Sequence, residues 1–271
     1  MHMEGTESYS LNLGGQLLQL SEPQVMGILN VTPDSFYSGS RRQTETEIAQ
    51  RVHEIVREGG TIIDVGGYST RPGAQEVGEE EELARLRLGL SVVRREAPEA
   101  AVSVDTFRAR VAEHVADEFG PVIVNDVSGG ADPEMFATVA RRGLPYVLTL
   151  DAAPADMMRY LSQRVDALLQ LGQKDIVLDP GFGFGKSLDE NYQLLGQLEA
   201  LHAFGLPLLV GVSRKSMVYR LLGTTPEEAL NGTTVLHTLA LERGASILRV
   251  HDVGAATEVI KILRKCSSPS D

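Results

Sequence analysis

The sequence predicts an α/β fold: eight parallel strands alternating with helices, closed into a (β/α)8 barrel (a TIM barrel), with a β-hairpin in front. Three observations lead there. First, eight short apolar runs bounded by breakers occupy residues 25–31, 61–67, 101–106, 122–127, 145–150, 175–179, 207–213 and 246–251. Second, amphipathic helical patterns follow them at 44–58, 78–96, 108–119, 133–142, 156–171, 189–204, 226–243 and 255–265. Strict alternation requires parallel strands, because parallel neighbours need a long crossover, usually a helix. Third, 271 residues suit one such barrel, which typically takes about 250. An open doubly wound sheet is the alternative, and the count of eight favours closure. The chain therefore reads as one domain over residues 1–271, with residues 1–8 expected to be a disordered or tag-like start.

Taken in order, residues 9–20 read as two short alternating strands around Gly14-Gly15, a hairpin placed to cap the barrel's N-terminal end. The acidic run Glu79-Glu-Glu-Glu82 falls in a first helical turn, where the macrodipole favours it, and reads as a solvated helix start. Asp132-Pro133 and Thr225-Pro226 each place a capping residue before a first-turn proline. The stretch Ile176-Val-Leu-Asp-Pro-Gly-Phe-Gly-Phe-Gly-Lys186 ends a buried strand on a carboxylate, Asp179, and then supplies alternating glycines suited to positive φ or close approach of a ligand.

Bulk properties narrow the function. A net charge of −12 argues against nucleic acid or an anionic membrane surface as the main partner. No apolar run approaches the length of a membrane span, and the N-terminus lacks a basic-then-apolar signal. The single cysteine, Cys266, permits no internal disulfide, which fits a cytoplasmic protein.

In such barrels the reactive face lies at the C-terminal ends of the strands. Here the runs end in Asn30, Asp64, Asp105-Thr106, Asn125-Asp126, Asp179, Ser213-Arg-Lys-Ser216 and Arg249-Val-His251-Asp252. Although the chain is acidic, Arg71, Arg214, Lys215 and Arg249 all fall on this face, which points to an anionic ligand. Asp64, Asp105, Asn125 and Asp179 beside them suit a heteroaromatic ring bearing N–H donors and a carbonyl. The implied ligand has a flat polar heterocycle and a separate anionic part.

Other chemistries fail on spacing. The stretch at 179–187 has Pro180 where a phosphate-binding P-loop needs its first glycine. Its G-x-G-x-G is not the dinucleotide G-x-G-x-x-G. Gly211-Val-Ser-Arg-Lys215 has lysine where a nucleophile elbow needs glycine. Of the six histidines only His251 lies at a strand end, so no zinc site is readable; His53, His114, His202 and His237 read as helix-surface or packing residues. Lys186 reads as a surface residue.

Taken together, Met26-Gly-Ile-Leu-Asn-Val-Thr-Pro-Asp-Ser-Phe36, Asp64-Val-Gly-Gly-Tyr-Ser-Thr-Arg-Pro-Gly-Ala74, Ser103-Val-Asp-Thr106, Asn125-Asp126, Leu178-Asp-Pro-Gly-Phe-Gly-Phe-Gly-Lys186, Ser213-Arg-Lys-Ser216 and Arg249-Val-His-Asp252 resemble the signatures of bacterial dihydropteroate synthases. The resemblance runs from Met26 to the last helix. It implies a cytoplasmic, homodimeric (β/α)8 transferase of folate synthesis. Such an enzyme joins (7,8-dihydropterin-6-yl)methyl diphosphate to p-aminobenzoate, releases pyrophosphate, uses Mg²⁺, and takes sulfonamides as competitors. Carried over by motif position, Asp105, Asn125, Asp179 and Lys215 would hold the pterin, and Asn30 would bind Mg²⁺ with the diphosphate. Arg249, Val250 and His251, with Thr70 nearby, would grip the diphosphate. Phe36, Arg71, Phe184 and Ser216 would form the p-aminobenzoate pocket. Asp105, Asp179, Lys215, Arg249 and His251 are the expected catalytic set.

The chain departs from the family pattern in three places. Tyr68 stands where many members have Glu, and Ser38 where many have Asp. After the fifth run the family usually has Met-His and a glycine-containing loop. Here Leu148-Thr-Leu-Asp-Ala-Ala-Pro154 follows, in a segment about a dozen residues short. Two other functions share parts of the pattern: a methyltransferase passing a methyl group from methyltetrahydrofolate to a corrinoid protein, and a catalytically silent pterin binder. The first has no need of a diphosphate grip. The second is supported only by the departures near Leu150.

Overall fold

In the computed structural model, residues 9–32, 41–68 and 77–267 are described. The expectations placed on residues 1–8, Phe36, Ser38, Thr70 and Arg71 fall outside them. The hairpin pairs β1 (Ser10–Leu13) with β2 (Gln16–Gln19) in antiparallel register. Eight parallel strands follow: β3 (Gln24–Asn30), β4 (Ile62–Gly66), β5 (Ala101–Asp105), β6 (Ile123–Asp126), β7 (Tyr146–Thr149), β8 (Ile176–Asp179), β9 (Leu208–Val210) and β10 (Ala245–Val250). They close into a barrel, with β10 pairing both β9 and β3. The helices are α1 (Arg41–Arg57), α2 (Glu79–Glu96), α3 (Ala109–Phe119), α4 (Met135–Arg142), α5 (Met157–Gln170), α6 (Leu188–Gly196), α7 (Ser216–Leu222), α8 (Leu230–Glu242) and α9 (Val253–Ser267).

Strand alternation decides what each side chain meets. Ile63, Val124, Leu148, Leu178, Val210 and Leu248 pack with helix residues in the outer core. Their strand neighbours Met26, Ile62, Ile123, Val147, Val177, Leu209 and Ile247 form a separate cluster inside the barrel, closed by Leu11 and Leu20 of the hairpin segment. The hairpin thus plugs the N-terminal end, as expected. Two residues further along the same inward rows stand Asp64, Asn125, Thr149, Asp179 and Arg249, so the interior turns from apolar to polar toward the C-terminal end.

The local expectations need several corrections. The helix expected over 189–204 ends at Gly196, and a 3-10 turn covers Leu198–Phe204. Pro226 opens a turn rather than a helix; α8 begins at Leu230. Helix α7, which follows the Ser213–Ser216 motif, is too short to show a period in the sequence. Helix α4 begins at Met135, beyond Asp132-Pro133. Asp132 Oδ1 accepts from Glu134 N at 3.0 Å, and Oδ2 accepts from Ala109 N at 2.8 Å, so it caps the start of α3, whose own N-cap residue Arg108 makes no side-chain cap. Of the acidic run, Glu82 is not solvated: it is fully buried, pairs with Arg108 and accepts from Thr106 Oγ1 at 2.6 Å. Arg108 also donates to the Val77 carbonyl at 2.8 Å and lies over the Tyr68 ring, 5.4 Å from its centroid. Tyr68, the family departure, meets Phe107 edge-on at 5.2 Å. One network therefore ties the end of β4, the approach to α2 and the loop after β5.

Candidate active site at the C-terminal end of the barrel

The polar inward row is built around Arg249 on β10. Its Nε donates to Asp64 Oδ2 on β4 at 2.7 Å, and its Nη2 donates to Asp105 Oδ2 on β5 at 2.7 Å. Asn125 Nδ2 on β6 donates to the same Asp64 oxygen at 3.2 Å. Asp64 is fully buried and Asp179 nearly so. Burial pushes Asp105 up to about 7, against the pull of Arg249. Burial also raises Asp179, opposed chiefly by Lys215. Burial lowers Lys215 to about 8, with Asp179 holding back the shift. Burial works against the Arg249 charge too, but Asp64 and Asp105 outweigh it and hold the guanidinium above its ordinary value. The interior is thus a patch of opposed charges in which burial favours the neutral form of both carboxyls and of Lys215.

Lys215, the N-cap of α7, donates from Nζ to the Phe182 carbonyl at 2.5 Å and stands 4.5 Å from the centre of the Phe184 ring. The glycine stretch after β8 makes this possible. Gly181, Gly183 and Gly185 all have positive φ, at 70°, 80° and 62°, so the loop curls tightly. Gly181 N donates to Asp179 Oδ1 at 2.8 Å, fixing the carboxylate. Ser216 follows Lys215 in the first turn of α7 and is half-buried. His251, next in the inward row after Arg249, receives its position from Ser213. Its N donates to Ser213 Oγ at 3.1 Å, and its Nδ1 lies 3.2 Å from the same oxygen. A Cβ placed on Gly66 would lie 3.3 Å from Asn30 Oδ1 and 3.7 Å from Asp105 Cβ, so Asn30 stands beside Asp105 where glycine leaves room.

Asp105, Asn125, Asp179, Lys215, Arg249, His251 and Asn30 are therefore brought to one end of the barrel, with Phe184 and Ser216 beside Lys215. Four expected placements are corrected. Val250 is fully buried in the outer core, because a residue next to inward Arg249 on a strand faces the helices; its side chain is not in the site. Arg214 does not face a ligand: its Nε and Nη2 donate to Asp252 at 2.7 and 2.8 Å, and its Nη1 donates to the carbonyls of Pro226 and Glu227. Asp126 also faces outward, accepting from Tyr146 Oη at 2.8 Å and from Ser128 and Gly130 N–H groups. Lys186 is not a surface residue; its Nζ donates to the carbonyls of Leu150, Gly181 and Phe184 at 3.0–3.3 Å, joining the short loop after β7 to the glycine loop. Asp64, expected beside a heterocycle, instead anchors Arg249 and Asn125, and Ser213 had no assigned role. Their signal was inward parity for Asp64 and proximity to His251 for Ser213, which only the folded chain shows.

Several buried acceptors and hydroxyls here have no partner among the described residues: Asp64 Oδ1, Ser103 Oγ, Asn125 Oδ1 and Thr149 Oγ1. Unpaired buried polar atoms are costly unless something fills the site. Their donor and acceptor mix matches a heterocycle edge, and the cations beside them match an anion.

The sequence profile of the family described as "Pterin binding enzyme" matches residues 26–251. Dihydropteroate synthase of Escherichia coli (strain K12) is 40% identical over 273 residues, covering 95% of this chain and 96% of that one. The Bacillus subtilis (strain 168) dihydropteroate synthase is 38% identical over 252 residues, covering 88% of this chain and 87% of that one. Among solved structures, Xanthomonas albilineans dihydropteroate synthase with 4-aminobenzoic acid has a TM-score of 0.89 at 37% identity, covering 97% of this chain and 100% of that one. The same protein in complex with 7,8-dihydropteroate has a TM-score of 0.86 at 35% identity, with coverage of 97% and 100%.

Proposed function

The chain belongs to the pterin-binding enzymes as a dihydropteroate synthase, a transferase of folate biosynthesis, and we propose how its own residues divide the work. The reaction joins (7,8-dihydropterin-6-yl)methyl diphosphate to p-aminobenzoate, giving 7,8-dihydropteroate and pyrophosphate. The observation that carries the assignment of roles is the convergence of Asp105, Asn125, Asp179, Lys215 and Arg249 at one end of the barrel, with unpartnered acceptors between them.

In this reading the pterin ring lies in the polar interior against Asp105, Asn125, Asp179 and Lys215. Arg249 uses Nε and Nη2 on Asp64 and Asp105, which leaves Nη1 to meet the diphosphate. By motif position, His251 and Thr70 share that role. The C–O bond to the diphosphate breaks first, and its electron pair leaves with pyrophosphate. Arg249 and His251 stabilise the departing charge. Asp105 and Asp179 face the positive charge that develops on the methylene and ring. The p-aminobenzoate nitrogen then forms the new C–N bond and loses a proton, with no covalent enzyme intermediate. Phe36, Arg71, Phe184 and Ser216 hold p-aminobenzoate, and sulfonamides compete for that place. The Lys215–Phe184 contact sets the boundary between the two substrates.

For Mg²⁺ the fit is that of an ion carried by its substrate. Asn30 offers one hard oxygen beside Asp105, and among the described residues no three His, Cys, Asp or Glu side chains form a metal-holding group. Mg²⁺ commonly takes one or two protein oxygens and completes its shell with phosphate and water. When bound it would neutralise diphosphate charge, and Asn30 would help to hold it. Homodimer formation is supported by Leu221, Leu222, Leu230 and Val235, large apolar side chains left exposed on α7 and α8. No helix among the described residues is long and apolar enough to cross a membrane, and a cytoplasmic site of action agrees with the free, exposed Cys266.

Pyrophosphate release is the test. It is expected to require both p-aminobenzoate and the pterin diphosphate. Methyl transfer to a corrinoid would need neither, and a silent pterin binder would release none.

A further inference from the structure

Thr149 ends β7 with its side chain fully buried. Two residues before it, Val147 belongs to the cluster inside the barrel, while Leu148 packs outward against the helices. Parity therefore turns Thr149 inward. On one side its strand pairs with β8, where Asp179 is its register partner; on the other lies β6, which carries Asn125. Its methyl lies toward the glycine loop, since a Cβ placed on Gly181 would come within 3.1 Å of Thr149 Cγ2. Its hydroxyl has no hydrogen-bond partner among the described residues, and neither has Asn125 Oδ1 on the next strand. A buried hydroxyl costs stability unless something bonds to it, and here the neighbours on both sides are residues placed against the heterocycle.

We propose that the Thr149 hydroxyl is a specificity contact of the pterin site, hydrogen-bonding the polar edge of the heterocycle between Asn125 and Asp179. The inference rests on the reading that the barrel interior takes the pterin. A hydroxyl both donates and accepts, so it fits a ring edge that alternates N–H groups and acceptors.

The test compares Thr149→Val, which keeps the shape and removes the hydroxyl, with Thr149→Ser, which keeps the hydroxyl. Calorimetry with 6-hydroxymethyl-7,8-dihydropterin, the KM for p-aminobenzoate and the urea midpoint of the ligand-free protein are measured on each. Thr149→Val is expected to weaken pterin binding by about tenfold, to leave the p-aminobenzoate KM unchanged, and to leave the ligand-free midpoint equal or higher. Thr149→Ser is expected to bind within about threefold of the parent. Unchanged pterin binding in Thr149→Val overturns the inference. So does a lower urea midpoint with unchanged binding, which marks the hydroxyl as part of the core. Asp179→Asn separates the two readings: if it loses pterin while Thr149→Val does not, only the Thr149 contact fails. If the parent itself binds no pterin, the reading of the barrel interior fails with it.

Discussion

Replacing Arg249 with Met removes the cation that joins Asp64 and Asp105 while keeping an unbranched chain in the same space. Both hydrogen bonds it makes are 2.7 Å long, and Asp64 is fully buried. Breaking a buried pair from one side typically costs about 3–5 kcal/mol, because the remaining charge has lost its partner. One escape is available. Asp105, already raised to about 7 by burial, loses the arginine that was holding it down, so its folded value rises further. A carboxyl whose folded pKa lies above its unfolded value gains stability as pH falls through the folded pKa. Between the variant's higher pKa and about 7, the variant binds a proton that the parent does not. The deficit should therefore shrink by about 1.4 kcal/mol per pH unit as pH falls through that window. Below it, both proteins carry the proton and the Asp105 part of the deficit vanishes. The loss of Asp64's partner persists. The expected result is a thermal midpoint lowered by roughly 10 °C at pH 9, with a clearly smaller loss at pH 6.5. Melting curves of both proteins at several pH values measure it. A deficit that is independent of pH, or that grows toward low pH, refutes the reasoning.

Asp179→Asn should retain the fold, since Asp179 is raised by burial and its Oδ1 accepts from Gly181 N, a bond the amide oxygen of Asn can also accept. Pyrophosphate release should fall by about 10²–10³-fold, and near-normal turnover would remove Asp179 from the mechanism. Glu82→Gln should lower stability by about 3 kcal/mol, read as a urea midpoint, because it strands Arg108 against a neutral partner in a buried place. An unchanged midpoint would mean the pair contributes little. His237 is buried and lowered to about 4 by burial, so its stability contribution is present above its ordinary pKa of 6.5 and is lost as pH falls from there toward 4. His237→Phe should therefore flatten the acid limb of the stability profile, and an equally steep limb would show that other groups govern it.

Much of this was readable because the code is local. Each strand is a short apolar run between breakers, and the eight crossover patterns demand parallel neighbours. The carboxylates and amides at strand ends belong at one end of a barrel, since that end follows from chain direction alone. What failed were the judgements on Val250, Asp126, Arg214, Lys186 and Glu82, which depended on which way a side chain turns or what reaches it from far along the chain. Arg214 and Lys215 are adjacent and both cationic. Yet Asp252, thirty-eight residues away from Arg214, takes one, while the glycine loop receives the other. Lys186 looked free because its carbonyl partners include Leu150, thirty-six residues earlier. Glu82 looked solvated because Thr106 and Arg108 are distant in sequence.

The sequence by itself determined the barrel, its direction, the family and the set of polar residues at the C-terminal end, because hydrophobic period and motif spacing are properties of neighbouring residues. Only the tertiary structure decided that Val250 and Asp126 face the helices while Arg249 and Asn125 face the axis. It also decided that Asp64 belongs to the charged centre and that Thr149 holds an unpaired hydroxyl beside it. The reason is physical. Barrel closure fixes strand register, and a shift of one residue would exchange the inward and outward rows.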